Sequence, residues 1–225
     1  MNDNEQTHLR LAPADALRFL VTQGIALGKR GPRMVLGIAG GPGVGKSTLA
    51  AHLVAVLNSE HAGVAAYVPM DGFHMKHAKL VAAGTDRDKG MPHTFEGAAF
   101  ADFLEQLKAA DGLVSGPGYS RSIEDVVEDA FTVDSSVRLL VVEGNYLLLA
   151  NSPWWRIKPM LDLSVFIDVP REKVRARLMQ RHAEEGLFGE ARNREHIERV
   201  DLANYDLVQR SRGRSDIAID LLTES

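Results

Sequence analysis

The sequence predicts an α/β fold in which a five-stranded parallel sheet is covered by helices on both faces. Short apolar runs alternate with amphipathic stretches along the chain, which is typical of parallel strands joined by helical crossovers. A glycine-rich segment separates the first apolar run from the helical pattern that follows it. The length of 225 residues suits one domain with a full core. We therefore expect a single domain over residues 1–225, with an N-terminal helix within residues 1–32 and the core over residues 33–225.

Apolar runs of strand length mark the expected strands. In chain order they span residues 34–39, 64–69, 138–144, 163–169 and 216–221. Ligands of parallel sheets gather at the carboxyl ends of the strands. The residues that follow these five runs are therefore the first candidates for a functional site.

Apolar residues at helical spacing mark the connecting helices. Helices are expected over residues 13–28, after residue 46, near residues 100–107, and over residues 170–185 and 192–210. Residues 154–161 are expected to form a short helix, and residues 125–133 an extended or hairpin segment. Loops are expected over residues 78–95, which also hold a short helix, and over residues 115–122.

Composition excludes several classes of partner and site. The net charge of −4 provides no general attraction to nucleic acid or to an anionic membrane. The absence of cysteine excludes disulfides and thiolate metal sites. The polar N-terminus is unlike a signal peptide, and no apolar run approaches membrane-spanning length. We expect a cytoplasmic protein without nucleic-acid partners or membrane insertion.

The segment between the first strand and the next helix has the strongest functional pattern. The spacing G-x-x-x-x-G-K-[ST] is met by Gly40, Gly45, Lys46 and Ser47. Glycine is needed there because the backbone curls its N–H groups around a phosphate at angles that side chains disfavour. Lys46 is expected to reach the β- and γ-phosphates of a nucleoside triphosphate, and Ser47 to bind Mg²⁺. The expected nucleotide-binding residues are Gly41, Gly43, Val44, Gly45, Lys46, Ser47 and Thr48.

Acidic residues end two of the expected strands. Asp71 directly follows the second strand, where a carboxylate could accept the proton of a substrate hydroxyl as it attacks the γ-phosphorus. His74 is expected to form a hydrogen bond on the substrate side near Asp71. Glu143 ends the third strand and suits either Mg²⁺, directly or through water, or contact with the substrate. The choice between these two roles stays open here.

Basic residues crowd the expected helix over residues 170–185. They are Arg171, Lys173, Arg175, Arg177 and Arg181. Charge runs on helices are usually solvated faces, so we expect only one or two of these residues to be functional. We select Arg177 and Arg181, on a helical lid over about residues 170–192, because a mobile arginine helix can close over a transferring phosphoryl group.

Four further segments carry a resemblance to a known family. They are DGFH at residues 71–74, KGMPHTFE at residues 89–96, PGYSR at residues 117–121 and VEGN at residues 142–145. Together with the glycine-rich loop, their order resembles the superfamily of uridine kinases, phosphoribulokinases and bacterial pantothenate kinases. The resemblance covers nearly the whole chain after about Arg33. Within the superfamily, the chain is most similar to bacterial proteins named as fructose transport system kinases, or simply as nucleoside/nucleotide kinase family proteins.

The resemblance implies a P-loop kinase that uses ATP and Mg²⁺ to phosphorylate a small-molecule alcohol. By position, Asp71 would be the general base, and Lys46 with a lid arginine would stabilise the transferring phosphoryl group. The acceptor pocket would be lined by His74, His93, Phe95, Tyr119, Arg121, Glu143 and Asn145. The acceptor could be a sugar such as fructose, a pantothenate-like molecule or a nucleoside, and a homodimer is an open option.

The main alternative is a nucleotide-dependent switch or assembly ATPase that needs no small-molecule acceptor. A GTPase switch should carry an Asn-Lys-x-Asp segment after a strand, and a transporter ATPase should carry a Ser-Gly-Gly signature. Neither segment occurs in the sequence. The sequence therefore favours the kinase.

Overall fold

The computed structural model describes residues 6–60, 63–185 and 189–222. Its strands are β1 (Thr7–Leu11), β2 (Met34–Ala39), β3 (Ala65–Pro69), β4 (Val114–Ser120), β5 (Asp125–Val133), β6 (Leu139–Gly144), β7 (Leu163–Asp168) and β8 (Ile217–Leu221). Six of them form a parallel sheet in the order β1-β8-β7-β2-β6-β3. β4 and β5 form a separate antiparallel hairpin.

The helices connect and flank these strands. They are α1 (Pro13–Gly28), α2 (Lys46–Glu60), α3 (His77–Ala83), α4 (Gly97–Ala109), α5 (Arg171–Glu185), α6 (Glu190–His196) and α7 (Leu202–Gln209). A π-helical turn, Ile197–Asp201, joins α6 to α7. α1 follows the predicted bounds of 13–28, and its amphipathic pattern accounts for this, because its buried positions, such as Leu20 and Leu27, recur at helical spacing.

Alternate residues of the central strands divide the core between the two faces of the sheet. On β6, Leu140 and Val142 pack on one face, with α4 and the aromatic side chains around Trp154. Leu139 and Val141 pack on the other, with α1, α2 and α5. Side chains of a strand point alternately to opposite faces. A strand buried on both sides must therefore be continuously apolar, as the sequence of β6 is, and the predicted covering of both faces is confirmed.

The sheet has six strands, so the prediction of five was wrong. The sixth, β1, pairs in parallel with β8, with Thr7 opposite Ile217. β1 lies at the edge of the sheet, and its residues are exposed or half-buried. Its sequence, THLRL, therefore has no apolar run that predicts a strand. The other five strands lie where the sequence predicts them, within one residue at each end.

Two connecting segments also differ from the prediction. Residues 115–122 were expected to be a loop, but most of them belong to β4, which pairs with β5. Glycine, proline and serine disfavour strands locally, so the cross-strand pairing with β5 decides this conformation. Residues 154–161 form two 3₁₀ turns, Trp154–Arg156 and Lys158–Met160, in place of a helix. Of the predicted lid, residues 186–188 lie outside the described residues.

Candidate active site

A cavity of about 440 Å³ opens where β2, β3 and β6 end. The loop after β2, residues 40–45, lines it with Pro42, Gly43 and Gly45. Gly43 and Gly45 have φ angles of 74° and 96°, a region that residues with side chains rarely adopt. These glycines let the chain turn from β2 directly into α2, whose first residues, Lys46, Ser47 and Thr48, also line the cavity.

Lys46 is buried at the floor of this cavity. Its ammonium group donates hydrogen bonds of 2.8 Å to the carbonyl oxygen of Gly41 and 2.8 Å to Oδ1 of Asn145. Burial lowers the pKa of Lys46, while the negative charges of Glu143 and Asp71 oppose that shift. The predicted acceptor residue Asn145 thus contacts the P-loop lysine and fixes its position.

Glu143 forms the second polar centre of the cavity. Its Oε1 accepts hydrogen bonds from the hydroxyl of Ser47, at 3.1 Å, and from the hydroxyl of Tyr67, at 2.8 Å. Only 3% of Glu143 is exposed, and burial, followed by the charge of Asp71, raises the pKa of its carboxyl. Mg²⁺ prefers oxygen ligands and is usually held by one or two carboxylates together with substrate phosphates. A carboxylate and a hydroxyl that meet in the cavity fit this ion.

We predict that Glu143→Gln raises the melting temperature measured in EDTA without nucleotide, and raises it more at pH 8 than at pH 5. The raised pKa means that the folded protein binds the Glu143 proton more tightly than the unfolded chain does. Stability is therefore lost as the pH rises from the ordinary value of 4.5 through the folded pKa. Glutamine has no charge to bury, and each kcal/mol gained corresponds to about 2–4 °C in Tm for a chain of this size.

Thermal unfolding of the wild type and of Glu143→Gln at both pH values tests this prediction. The glutamine side chain would keep an acceptor oxygen for Ser47 and Tyr67, so shape and hydrogen bonding change little. An equal difference in Tm at pH 5 and pH 8 would contradict it.

Asp71 reaches the same cavity from the end of β3. It lies in a 3₁₀ turn, Met70–Phe73, directly after the strand, and its Oδ2 is 3.9 Å from a guanidinium nitrogen of Arg121. The turn lies so close to the β4–β5 hairpin that a Cβ atom on Gly72 would be only 2.0 Å from the carbonyl oxygen of Pro117. This close approach positions Asp71 next to the residues of β4 and the turn that follows it.

We predict that Gly72→Ala lowers both stability and activity. The added methyl group would force the turn away from the Pro117 backbone, and overpacking of this kind typically costs about 1–3 kcal/mol. Asp71 would move with the turn. Thermal unfolding and ADP release measure the two effects. Gly112→Ala is the matched control, since nothing lies within 4 Å of a Cβ at Gly112. A Gly72→Ala protein as stable as the control would contradict the prediction.

Aromatic rings form the wall beside Asp71. The ring of His74 lies 3.9 Å from that of Phe95 and 4.6 Å from that of Tyr119, measured between centroids. His74 Nδ1 is 2.8 Å from the carbonyl oxygen of Asp71. Burial lowers the pKa of His74, which favours the neutral ring. The wall therefore offers flat surfaces and one hydrogen-bonding ring to a bound molecule.

The four arginines of α5 divide into two groups. Arg171 forms an ion pair with Asp206, and Arg175 forms one with Glu198. Arg177 and Arg181 instead line the cavity, and Nη1 of Arg177 is 3.5 Å from the carbonyl oxygen of Val44 in the P-loop. The division follows the helical repeat, because one face of α5 meets the P-loop while the other meets residues 198–206.

Comparisons with known proteins agree with this geometry. The model of the phosphoribulokinase/uridine kinase family matches residues 35–224. The chain belongs to this family. A candidate uridine kinase of Schizosaccharomyces pombe is 31% identical over 210 residues, which cover 90% of this chain and 89% of the relative. This chain is therefore an ATP-dependent phosphotransferase.

Two further relatives bear on the range of the family. The crystal structure of a candidate fructose transport system kinase from Silicibacter sp. TM1040 is 32% identical, has a TM-score of 0.80, and is matched over 90% of this chain and 98% of that chain. A pantothenate kinase of Psychromonas ingrahamii is 32% identical over 155 residues, but the match spans only 48% of that protein. The TM-score shows that this chain shares its fold with the Silicibacter protein. Among the described residues, no helix is long and apolar enough to cross a membrane.

Most of the residues predicted for the site of this kinase line the cavity together. Asp71, His74, Phe95, Tyr119, Arg121 and Asn145 lie with the P-loop residues and the two lid arginines. Gly41 and Val44 contribute carbonyl oxygens to Lys46 and Arg177 and are not among the lining residues. The structure does not place His93 there either. Its Nε2 is 3.4 Å from Asp88, and 53% of its side chain is exposed, because Thr94 takes the buried position of that turn.

Sequence reasoning missed several residues of the cavity. Lys89, Glu124, His182, His196, Asp201 and Asn204 all line it. Nε2 of His182 is 3.3 Å from Oδ2 of Asp201, and Asn204 donates a hydrogen bond of 2.9 Å to the carbonyl oxygen of Gly90. Lys89 opens the KGMPHTFE segment and could have been selected from it. Glu124 lies in the turn between β4 and β5, and the other four lie in helical stretches. No local pattern separates these five residues from surface residues.

Proposed function

We propose that this kinase transfers the γ-phosphate of ATP to a hydroxyl group of a small molecule bound between Asp71 and the aromatic wall. The observation that carries the proposal is the presence of the Asp71 carboxylate in one cavity with Lys46 and Ser47 of the P-loop. A carboxylate in that position can receive the hydroxyl proton as the oxygen attacks phosphorus. The attacking oxygen forms the new P–O bond, ADP leaves, and the proton passes to Asp71.

The cations of the cavity suit the charge of the transferring group. We assign Lys46, which donates hydrogen bonds to Gly41 and Asn145, to the β- and γ-phosphates. We assign Arg177 and Arg181, on α5, to the equatorial oxygens of the phosphoryl group, where charge accumulates during transfer. Because charges act more strongly where water is excluded, closure of α5 over the site would increase the effect of both arginines.

We assign Ser47 and Glu143 as the residues that would hold Mg²⁺, as the hydrogen bond between them supports. The ion, when bound, offsets the negative charge of the β- and γ-phosphate oxygens. Glu143 must be ionised for this role, and the charge of Lys46 favours that form. This assignment favours the magnesium role of Glu143 over the contact with the acceptor.

A panel of acceptors with Mg-ATP tests the function. ADP release is measured with fructose and other sugars, pantothenate, uridine, cytidine and ribulose 5-phosphate, because relatives carry the names of kinases for several of these compounds. We expect one acceptor to raise turnover far above the rate without acceptor. Turnover that is fast without any acceptor and unchanged by every member of the panel would contradict the proposal and favour an ATPase.

A further inference from the structure

A second cavity, also of about 440 Å³, adjoins the first. The two cavities share the side chains of Lys89, Glu124, His182 and His196. Every described residue that lines the second cavity is ionisable, whereas the first is also lined by glycines, aromatic rings and amides. A molecule with its hydroxyl at Asp71 can therefore extend past Lys89 into a strongly polar space.

Lys89 stands at the junction of the two cavities and is held there on two sides. Its ammonium group donates a hydrogen bond to the main-chain carbonyl oxygen of Glu124 and lies 5.2 Å from the centroid of the Tyr119 ring. Glu124 has a φ of 49°, a left-handed conformation that is uncommon outside glycine and that clusters at functional sites. The turn before β5 thus presents a carbonyl oxygen to Lys89 and keeps the ammonium group at the junction.

The charge of Lys89 acts on the acceptor side rather than on the P-loop. It contributes to the lowered pKa of His74 in the aromatic wall, whereas the cations that affect the pKa of Lys46 are Arg181 and Arg121. Burial lowers the pKa of Lys89 itself, so its charged form lacks full hydration. A negatively charged group of a bound molecule would restore the lost stabilisation.

The walls of the second cavity add further cations. Arg87 comes from the 3₁₀ turn Asp86–Asp88, Arg192 from α6, and Arg199 from the π-helical turn. Arg199 is committed to an ion pair with Asp88, at 2.7 Å. The acidic residues of these walls are Asp86, Glu124 and Glu195. Apart from that ion pair, Lys89, Arg87 and Arg192 equal the three carboxylates in number among the described lining residues. Guanidinium groups suit carboxylate and phosphate ligands.

We propose that the second cavity is an anion subsite for the acceptor, and that the acceptor carries a carboxylate or phosphate group opposite its reacting hydroxyl. Lys89, Arg87 and Arg192 recognise this group. The proposal rests on the proposed function and refines it, because it selects a hydroxy acid or a phosphorylated alcohol over a neutral sugar or nucleoside.

Matched pairs of compounds test the subsite. Each pair has the same skeleton with and without the anionic group: glycerol and D-glycerate, pantothenol and pantothenate, fructose and fructose 6-phosphate, ribulose and ribulose 5-phosphate. The first two pairs test a carboxylate and the last two a phosphate. Binding is measured by calorimetry in the presence of AMP-PNP and Mg²⁺, and ADP release is measured in parallel with ATP.

We expect the anionic member of at least one pair to bind about tenfold or more tightly than its neutral partner, as one charge-assisted hydrogen bond allows. The double variant Arg87→Gln/Arg192→Gln, and separately Lys89→Met, should remove most of this preference. Arg194→Gln is the matched control. Arg194 lies on α6, as Arg192 does, but it pairs with Glu190 and does not line the cavity. This variant should keep the preference.

The outcomes separate the subsite from the proposed function. Equal binding within every pair, or a preference that survives both the double variant and Lys89→Met, would overturn the anion subsite. Phosphorylation of a neutral member in preference to its anionic partner would overturn it too, while the proposed function stands. Preferential binding of anionic members without ADP release from any pair would overturn the proposed function and uphold the anion site.

Discussion

Replacing Asp71 by asparagine is expected to lower kcat by about 10²–10⁴-fold, the usual contribution of a positioned general base. Asparagine has nearly the shape of aspartate but cannot receive the proton of the acceptor hydroxyl. Asp71 follows β3 and is not part of the P-loop, to which we assign the nucleotide. Affinity for Mg-ATP should therefore stay near its wild-type value. ADP release with the best acceptor, together with calorimetric titration of AMP-PNP, measures both quantities.

Asp129→Asn is the matched control for this experiment. Asp129 is exposed on β5, away from the cavity, and has a φ of 50°, which asparagine tolerates as well as aspartate does. The control should have wild-type kcat and stability. If Asp71→Asn retained wild-type turnover, Asp71 could not be the base, and the proton would have to leave by another route.

Replacing Lys46 by methionine is expected to lower kcat by about 10²–10³-fold, as the loss of one preorganised charge at a transition state typically does. It should also weaken ATP binding, in contrast to Asp71→Asn, because the role we assign to Lys46 is contact with the phosphates both before and during transfer. The methionine side chain has similar length and fills the same space. The split between kcat and affinity thus separates the roles of the two residues.

Stability provides an independent readout for Lys46→Met. Burial lowers the pKa of Lys46, so the folded protein bears a cost for the charged form that methionine avoids. Two acceptors, the carbonyl of Gly41 and Oδ1 of Asn145, lose their donor, which works in the opposite direction. We therefore expect little change in Tm beside a large loss of activity. Lys79→Met is the control, because Lys79 is an exposed lysine paired with Glu96. A Lys46→Met protein that kept wild-type activity would contradict the assignment of the nucleotide site.

The local sequence pattern was sufficient to predict those parts of the fold and site whose conformation depends on neighbouring residues. The P-loop is one such case, because glycines at φ angles of 74° and 96° and the helix that begins at Lys46 are all encoded within one short segment. The five buried strands are another, since a strand covered on both faces must be apolar throughout. Asp71 and Glu143 could be selected because each follows or ends such a strand.

Long-range pairing decided the elements that local pattern missed. β1 is a strand because β8 offers an open edge, not because its own residues are apolar. β4 contains glycine and proline and is a strand because β5 pairs with it. Neither strand could be predicted from its own residues. The partner of β1 lies at the other end of the sequence, and the partner of β4 was predicted only as an extended or hairpin segment.

Contiguous residues were enough to predict a P-loop and membership among ATP-dependent kinases, and the family match confirms the membership. The tertiary structure was needed to show which polar side chains line the cavity. His93 points to Asp88, whereas Lys89, four residues earlier, is held at the junction of two cavities by the carbonyl oxygen of Glu124. These contacts depend on how the β4–β5 hairpin and the segment that holds Lys89 and His93 pack together, and no local pattern in the sequence predicts that packing.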